Sequence, residues 1–439
     1  MDCTWNVARS CLLEFCSQPG GIAPFVRRRE ILLKISQELT SRLRADPAFW
    51  SRVLLNPHVV AEEFIEDLSR SKESALHVEI DLRVAARVPP VLSSADAINN
   101  MLLVCFHGLL ETTARWVTLY IHADEPDILG GIAAYFENVD LPALTRLDIV
   151  PKCPLPKGAG FSFVIGTRLR NLALNRIAFK EILLNNDFQD IRSLSLSSWA
   201  PGLTQADLCA ILRAISPTLE YLEINRPKLS ETTFDWPASR TDIQMSRLES
   251  FVFNPTFRNT RAETDSLFAV LAAVPVEQCG YVHLQYCNEE VAESIIHDGS
   301  FHFRMENKLT DAYCDDRTLF FKSCVHVRFS DTALEFILAR NLLYFFPHIE
   351  QLEIATATVF AQALAAASDY WEELWRVECS PDALPTVVQY AKNRIQLGMK
   401  KLEHVCCCYD APLTWLSLEF LADLRECVDE VTTREYDSD

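Results

Sequence analysis

The chain contains little glycine, only 12 residues in 439. Phosphate-binding loops need glycine so that the backbone approaches the ligand closely, and neither G-x-x-x-x-G-K-[S/T] nor G-x-G-x-x-G occurs. The motif G-x-S-x-G is missing as well. Adjacent acids such as Asp315 and Asp316 diverge on a helix or a strand, whereas general acid–base catalysis needs convergent groups. We therefore expect a protein that is not an enzyme and that uses no cofactor.

Basic residues are also in the minority. There are 41 Lys and Arg against 60 Asp and Glu, which gives a formal net charge of -19. Phosphate backbones bind to clustered Lys and Arg, so we do not expect nucleic acid as a partner. No apolar run approaches the roughly 20 residues that a membrane-spanning helix needs. We therefore expect no membrane association.

Signals for secretion are missing too. The first residues, Met1 to Trp5, contain no basic region followed by an apolar stretch. The one glycosylation-like string, Asn254-Pro255-Thr256, is disqualified by its proline. The 15 cysteines are odd in number and irregular in spacing, which does not suit a disulfide framework. We expect an intracellular protein, cytoplasmic or nuclear, whose cysteines are small core residues.

His404 and the run Cys406-Cys407-Cys408 raise the question of a zinc site. Neighbouring residues of a strand point to opposite faces, so Cys406 and Cys407 do not readily bind one ion. No second Cys/His pair occurs at zinc-ribbon spacing. Core packing is the favoured interpretation, and we predict no metal site.

A spaced pattern, apolar-x-x-apolar-x-apolar, recurs along most of the chain. Its fourth and sixth positions differ by two, so both side chains lie on one face of a short strand. Nine of the eleven intervals between successive copies are 22 to 31 residues long. Copies begin at Ala75, Trp116, Leu144, Leu169, Ile191, Leu219, Leu248, Cys279, Cys324, Ile349, Leu374 and Leu402.

Segments between the copies have helical spacing. Apolar stripes run over Ile98–Leu109, Leu208–Ile215, Leu267–Val274 and Leu334–Leu342, and Thr204 is a predicted helix N-cap. A strand followed by a helix, repeated every 25 to 30 residues or so, predicts a solenoid. The alternative is an ordinary α/β protein in which such short strings arise by chance.

The repeat over roughly residues 72–415 resembles the leucine-rich-repeat family. That resemblance implies an α/β horseshoe of about 12 parallel strands inside, with helices outside. The family's asparagine, three residues after the sixth position, is replaced by residues such as Lys152, Ile177 and Trp199. We therefore expect an irregular horseshoe.

Residues 1–57 read as short helices without the repeat. One is predicted around Leu12, Leu13 and Phe15. A second is predicted from Arg27 to Leu43, with Ile31, Leu32, Ile35 and Leu39 on its apolar stripe. The segment closes with Asp46-Pro47-Ala48-Phe49-Trp50.

This segment resembles a degenerate F-box. Phe64 to Ser71, followed by the first copy of the repeat, is similar to the junction in the large fungal group of F-box–leucine-rich-repeat proteins. The resemblance implies docking on a Skp-type ubiquitin-ligase adaptor. The residues it assigns to that contact are Leu12, Leu13, Phe15, Ile31, Leu32, Ile35, Leu39, Pro47 and Trp50. The alternative is a plain helical cap that shields the first repeat, and the two roles are compatible.

The third and fifth positions of each copy would line the concave face of the horseshoe. Tyrosine and arginine among them suit protein recognition, although such a face is polar in any soluble solenoid. Candidate substrate-binding residues are Tyr120, Arg146, Tyr221, Glu223, Tyr281, His283, Arg328, Glu353 and Arg376.

The sequence thus predicts a helical F-box-like segment (1–57), a repeat solenoid (58–415) and a C-terminal helix with an acidic tail (416–439). We expect a non-enzymatic adaptor that holds an unknown protein substrate for a cullin-type ubiquitin ligase. The alternative is a plain leucine-rich-repeat protein-binding scaffold.

Overall fold

The computed structural model describes residues 22–34, 37–56, 59–83, 95–151, 153, 160–175, 182, 188–197, 204–225, 243, 245–254, 279–285, 292, 321, 323–330, 334–354, 358–409 and 418–435. The chain divides into two compact units, Met1–Ala200 and Pro201–Asp439. Within the described part of the chain, every helix is too short or too polar to span a lipid bilayer.

The described strands of the first unit are all paired in parallel. They are β1 (Arg52–Leu55), β2 (Leu76–Leu82), β3 (Trp116–Ala123), β4 (Val139–Leu141), β5 (Arg146–Ile149), β6 (Phe163–Ile165), β7 (Asn171–Asn175) and β8 (Ser193–Ser197). One sheet has the order β1-β2-β3-β5-β7-β8, and β4 with β6 forms a separate pair. Parallel neighbours require a crossover connection, which helices supply.

The helices of the first unit lie between these strands in sequence. They are α1 (Ile22–Leu32), α2 (Gln37–Ala45), α3 (Ala61–Arg70), α4 (Ala95–Leu110) and α5 (Pro126–Tyr135), with a 3-10 turn at Pro47–Trp50. Helix α3 contacts α4, and both α1 and α3 contact β1.

The second unit continues the same plan. Its strands are β9 (Tyr221–Asn225), β10 (Ser250–Asn254), β11 (Tyr281–Gln285), β12 (His326–Ser330), β13 (Gln351–Ile354), β14 (Arg376–Cys379), β15 (Leu402–Tyr409) and β16 (Val428–Glu435). They pair in parallel in that order. Its helices are α6 (Gln205–Ile215), α7 (Phe336–Leu343), α8 (Thr358–Ala366), α9 (Leu384–Gln396) and α10 (Leu418–Cys427). Helices α7 to α10 contact one another in sequence.

The mixed α/β fold with extensive parallel pairing and helices is confirmed, and each of the twelve predicted copies falls on a strand. From β3 onward, the first, fourth and sixth positions of every copy are at most 3% exposed. In β2 the buried first position is Leu76 rather than Ala75, because the register with β3 shifts between Leu76 and His77.

Two more strands extend the pattern at its ends. Trp50-x-x-Val53-x-Leu55 fits the repeat at β1, and all three side chains are buried. At the other end, β16 pairs Val428 with Leu402 and Val431 with Val405. The sixth position of β16 is Thr433, which is why an apolar pattern did not detect this strand.

The helix predictions were right in two places and wrong in two. Helices α4 and α6 match the predicted stripes, and Thr204 caps α6. The predicted single helix from Arg27 to Leu43 is wrong, because α1 ends at Leu32 and α2 begins at Gln37. In α7 the predicted stripe is right at Leu342, which is buried, and wrong at Ile337, which is 58% exposed, while Ala339 and Leu343 are buried outside the predicted stripe. The stripe over Leu267–Val274 lies outside the described residues.

Candidate functional site

A small apolar cluster organises the N-terminal helices. Leu32, Leu43, Phe49 and Trp50 are buried against one another, and Val26 packs beside them. The Trp50 indole N–H donates to the Leu43 carbonyl over 3.1 Å, which satisfies its buried polar atom. The cluster joins α1, α2 and the 3-10 turn into one packed piece.

Charged residues of α1 and α3 pack against this cluster, namely Arg29 of α1 and Asp67 and Arg70 of α3. The Arg29 guanidinium lies 4.5 Å from the Trp50 ring centroid, and that of Arg70 lies 4.7 Å from it. Arg29 donates to Asp67 over 2.7 Å and to the Phe49 carbonyl over 3.2 Å. Burial raises the pKa of Asp67, and the charges of Arg29 and Arg70 partly oppose that shift. The tryptophan is therefore held by cation–π contacts as well as by apolar packing.

The predicted adaptor-binding residues are distributed unevenly. Leu32 and Trp50 are 7% and 1% exposed, whereas Ile31 is 58% exposed on α1. Pro47 is half-buried at the start of the 3-10 turn, and Leu39 lies in α2. Leu12, Leu13, Phe15 and Ile35 lie outside the described residues.

On the first unit's sheet, the face opposite the apolar core carries Tyr120 and Arg146. The Arg146 guanidinium lies 5.3 Å from the Tyr120 ring centroid. The same guanidinium donates to Asp148 Oδ2 over 3.0 and 2.8 Å, through Nε and Nη2. Burial raises the pKa of Asp148, and the hydrogen bond and charge of Arg146 oppose this. The structure thus brings together these two predicted residues, each held in one orientation by a neighbour.

The second unit carries two tyrosines at third positions of the repeat. Tyr221 OH donates to Glu223 over 3.4 Å, and the Asn225 amide donates to the same carboxylate over 2.6 Å. Tyr281 packs edge-on against the His326 ring, with centroids 4.7 Å apart. Both tyrosines are half-buried, so part of each ring remains exposed on this face.

Glu353 on β13 contacts two residues of the neighbouring strand β12. It accepts a hydrogen bond from His326 over 2.6 Å, and Arg328 lies 3.6 Å from its other oxygen. Burial alone would raise the pKa of Glu353, but the hydrogen bond from His326 and the charges of His326, Arg328 and Arg376 outweigh it and lower that pKa. The carboxylate therefore stays ionised and orders its neighbours.

His283 and Arg376 complete the predicted substrate-binding set. His283 is only 9% exposed and forms a hydrogen bond with Ser330 over 2.8 Å. Little of its side chain is therefore accessible to a binding partner. Arg376 donates to Glu378 over 3.2 Å and is half-buried. Tyr281, Arg328, Glu353 and Arg376 lie on the consecutive strands β11 to β14 and form one continuous polar surface. We call these four residues the β11–β14 polar face.

Two features of the sheets were not found from the sequence. A polar row follows the sixth position, where Asn225 pairs with Asn254 and Gln285 pairs with Ser330. Asn254 donates to Gln285 over 3.3 Å. These polar residues directly follow the sixth position, whereas the leucine-rich-repeat asparagine is expected two positions further along.

The second feature is a cluster of Glu378, Cys406 and Cys408, whose ligand-type atoms lie within 4.8 Å of one another. Cys408 Sγ donates to Glu378 over 2.9 Å. Hydrogen bonding with Cys408 lowers the pKa of Cys406 to about 7 and raises the pKa of Cys408. The sequence feature that points to this cluster is the two-residue spacing of Cys406 and Cys408, which puts both side chains on one face of the strand.

No protein-family model matches this chain, and no curated protein matches it.

Proposed function

We propose that the chain is a non-enzymatic recognition subunit that holds a protein substrate on its polar sheet faces. We further propose that its N-terminal segment attaches it to the Skp-type adaptor of a cullin ubiquitin ligase. The observation that carries the proposal is the β11–β14 polar face. Such a subunit works by proximity and orientation, so it needs two binding surfaces and no catalytic residue.

The polar face has the composition of a protein-recognition surface. Tyr281, Arg328 and Arg376 are residue types enriched at interface hot spots, and they lie on neighbouring strands. Glu353 holds His326 and Arg328 by ionic contacts. Side chains that are already ordered lose less conformational entropy when a partner binds, which favours affinity.

The N-terminal helices support adaptor docking in a different way. Their apolar cluster is closed around Trp50, yet Ile31 is left 58% exposed on α1. Exposed basic residues belong to the same segment: Lys34 follows α1, and Arg42 and Arg44 lie in α2. An exposed apolar side chain on a segment that also carries exposed basic residues suits contact with an acidic partner that offers an apolar pocket.

The test is a pull-down of the full-length chain with a purified Skp-type adaptor. Ile31→Glu should reduce binding at least about tenfold, because it places a charge in the contact. Ile337→Glu is the matched control, since Ile337 is also 58% exposed and lies on α7 of the other unit. Failure of the unaltered chain to bind, or equal binding by both variants, would contradict the adaptor role.

A plain protein-binding scaffold is the second candidate, and the position of β1 favours it. β1 lies within residues 1–57 and pairs with β2, so this segment also covers a sheet edge. Under this account the chain binds no ubiquitin-ligase adaptor. Deletion of residues 1–57 should then lower solubility, because the edge of β2 becomes open to other chains.

A further inference from the structure

The cluster of Glu378, Cys406 and Cys408 lies on the strand pair β14–β15. The register sets Glu378 directly opposite Cys406. Cys408 follows two residues later, so its side chain projects from the same face. All three residues are at most 5% exposed. Two neighbouring strands therefore hold two thiols and one carboxylate together, out of contact with bulk water.

A disulfide does not explain the two thiols. Residues i and i+2 of a strand lie about 6.7 Å apart and their side chains run parallel. A disulfide needs Cβ atoms about 3.8 Å apart. Cys406 and Cys408 are therefore not placed to join without distortion of β15, which is paired on both sides.

We propose that Glu378, Cys406 and Cys408 form a binding site for a single zinc ion. Two thiolates and one carboxylate are a donor set that Zn²⁺ accepts, whereas Ca²⁺ and Mg²⁺ prefer oxygen alone and Cu⁺ prefers sulfur alone. Zn–S bonds of about 2.3 Å place tetrahedral ligand atoms about 3.8 Å apart, so the cluster needs only a small contraction. Binding of the ion releases the thiol protons of Cys406 and Cys408 to solvent, and a water molecule that enters with the ion would complete the tetrahedral set.

The surrounding residues suit such a centre. Two thiolates, one carboxylate and Zn²⁺ carry a net charge of -1, and the Arg376 guanidinium that contacts Glu378 compensates it. Arg376 bonds to Glu378 Oε2, which leaves Oε1 directed at Cys408. An outer group that orients a ligating carboxylate in this way is a regular feature of zinc sites. Thr432 lies opposite Cys406 on β16 and borders the site, and its hydroxyl is hydrogen-bonded to His404 over 2.6 Å.

The zinc proposal does not rest on the proposed recognition role, although Arg376 belongs to both surfaces, and the bound ion would join β14 to β15 through its coordination bonds. The test uses the full-length chain, reduced and stripped of metal, titrated with Co²⁺ as a spectroscopic probe of the zinc position. We expect a thiolate-to-cobalt charge-transfer band that saturates at about one ion per chain and is abolished by Zn²⁺. Zn²⁺ should also raise the thermal midpoint of the chain.

Cys406→Ser and Cys408→Ser should each reduce the band, and Glu378→Gln should weaken Co²⁺ binding at least about tenfold. Cys407→Ala is the control on the same strand, because Cys407 points to the opposite face, and it should keep both the band and the stabilisation by Zn²⁺. Circular dichroism establishes that each variant is folded before titration. Absence of the band in the unaltered chain, its persistence in folded Cys406→Ser, or its equal loss in Cys407→Ala would overturn the proposal.

Discussion

Arg29 lies over the ring of Trp50, with its guanidinium carbon 4.5 Å from the ring centroid. The same guanidinium binds Asp67 on α3, so one arginine joins the aromatic core of the N-terminal helices to the helix that follows β1. Trp50 is also the first position of the repeat at β1. Trp50 itself ends the 3-10 turn just before β1 and is buried in the core, so its substitution tests folding before it tests partner binding.

We expect Trp50→Ala to lower the free energy of unfolding by about 3–5 kcal/mol, because it removes a fully buried aromatic side chain and leaves two guanidinium groups without their ring contact. Urea denaturation measures the change. Trp50→Phe should cost less, since it keeps an aromatic ring and loses chiefly the hydrogen bond to Leu43. Equal stability of the Ala variant and the unaltered chain would contradict the packing described for this residue.

Arg394 is completely buried in α9 and donates to the carbonyls of Trp371, Glu372 and Lys400 and to the Tyr390 hydroxyl. Lysine cannot reproduce this fork of donors. We expect Arg394→Lys to destabilise the chain by about 3 kcal/mol, because buried acceptors lose their partners.

Thermal unfolding provides the measurement for Arg394. The exposed Arg425 offers the matched control, and Arg425→Lys should change stability by less than about 0.5 kcal/mol. Similar midpoints for the two variants would show that the Arg394 hydrogen bonds do not hold α9 in place.

His283 predicts a dependence of stability on pH. Burial, followed by the charge of Arg328, lowers the pKa of His283 from its ordinary value of 6.5 to about 4. Because the pKa of His283 is lower in the folded chain than in the unfolded chain, the unfolded chain takes up the proton first as the pH falls. The contribution of neutral His283 is complete above pH 6.5 and is lost as the pH falls from 6.5 towards 4.

The slope in this window is about 1.4 kcal/mol per pH unit for one such group. Urea denaturation measured between pH 7 and pH 4 should show this fall in the free energy of unfolding. His283→Gln removes this titrating group and should reduce the slope in that part of the profile, leaving the slope that His77 contributes, because burial lowers the pKa of His77 as well. Parallel profiles for both proteins would exclude His283 as the cause.

Thr204 forms a capping box with Asp207 at the start of α6. The Thr204 hydroxyl accepts from the Asp207 N–H over 3.1 Å, and the Asp207 carboxylate accepts from the Thr204 N–H over 3.1 Å. We expect Thr204→Ala to cost about 1 kcal/mol and Thr204→Ser to restore most of it, because serine keeps the accepting oxygen. Chemical denaturation of the three proteins checks the order of stability.

The strands were more predictable than the helices, for a physical reason. From β3 onward each predicted copy buries its first, fourth and sixth positions on one face, so Leu147 and Ile149 or Leu222 and Ile224 mark a strand with few residues. The helix stripe at Leu334–Leu342 is wrong at Ile337, because this apolar residue lies on the exposed face while the small Ala339 is buried. Apolar character alone does not tell which face of a short helix packs.

The candidate sites show a similar division. Alternation along a strand predicts one shared face for Tyr281, Arg328, Glu353 and Arg376, and these residues lie on the consecutive strands β11 to β14. The contacts of Glu353 with His326 and of Arg376 with Glu378 depend on side-chain positions and on which strands are neighbours. The order of the repeat indicates these only in part. The cluster at Cys406 and Cys408 was rejected because adjacent cysteines diverge. The two-residue spacing and the carboxylate that β14 supplies become evident only with the register.

Photo-crosslinking in cells tests the central claim, that the polar sheet face holds a protein partner, most directly. A photoreactive phenylalanine analogue would replace Tyr281 on the β11–β14 polar face or, in a separate chain, Ile337 on the exposed side of α7. The account predicts discrete polypeptide adducts from position 281, lost on Arg328→Ala together with Arg376→Ala, and none from position 337. Adducts from position 337 alone, or equal adducts from both positions, would contradict it.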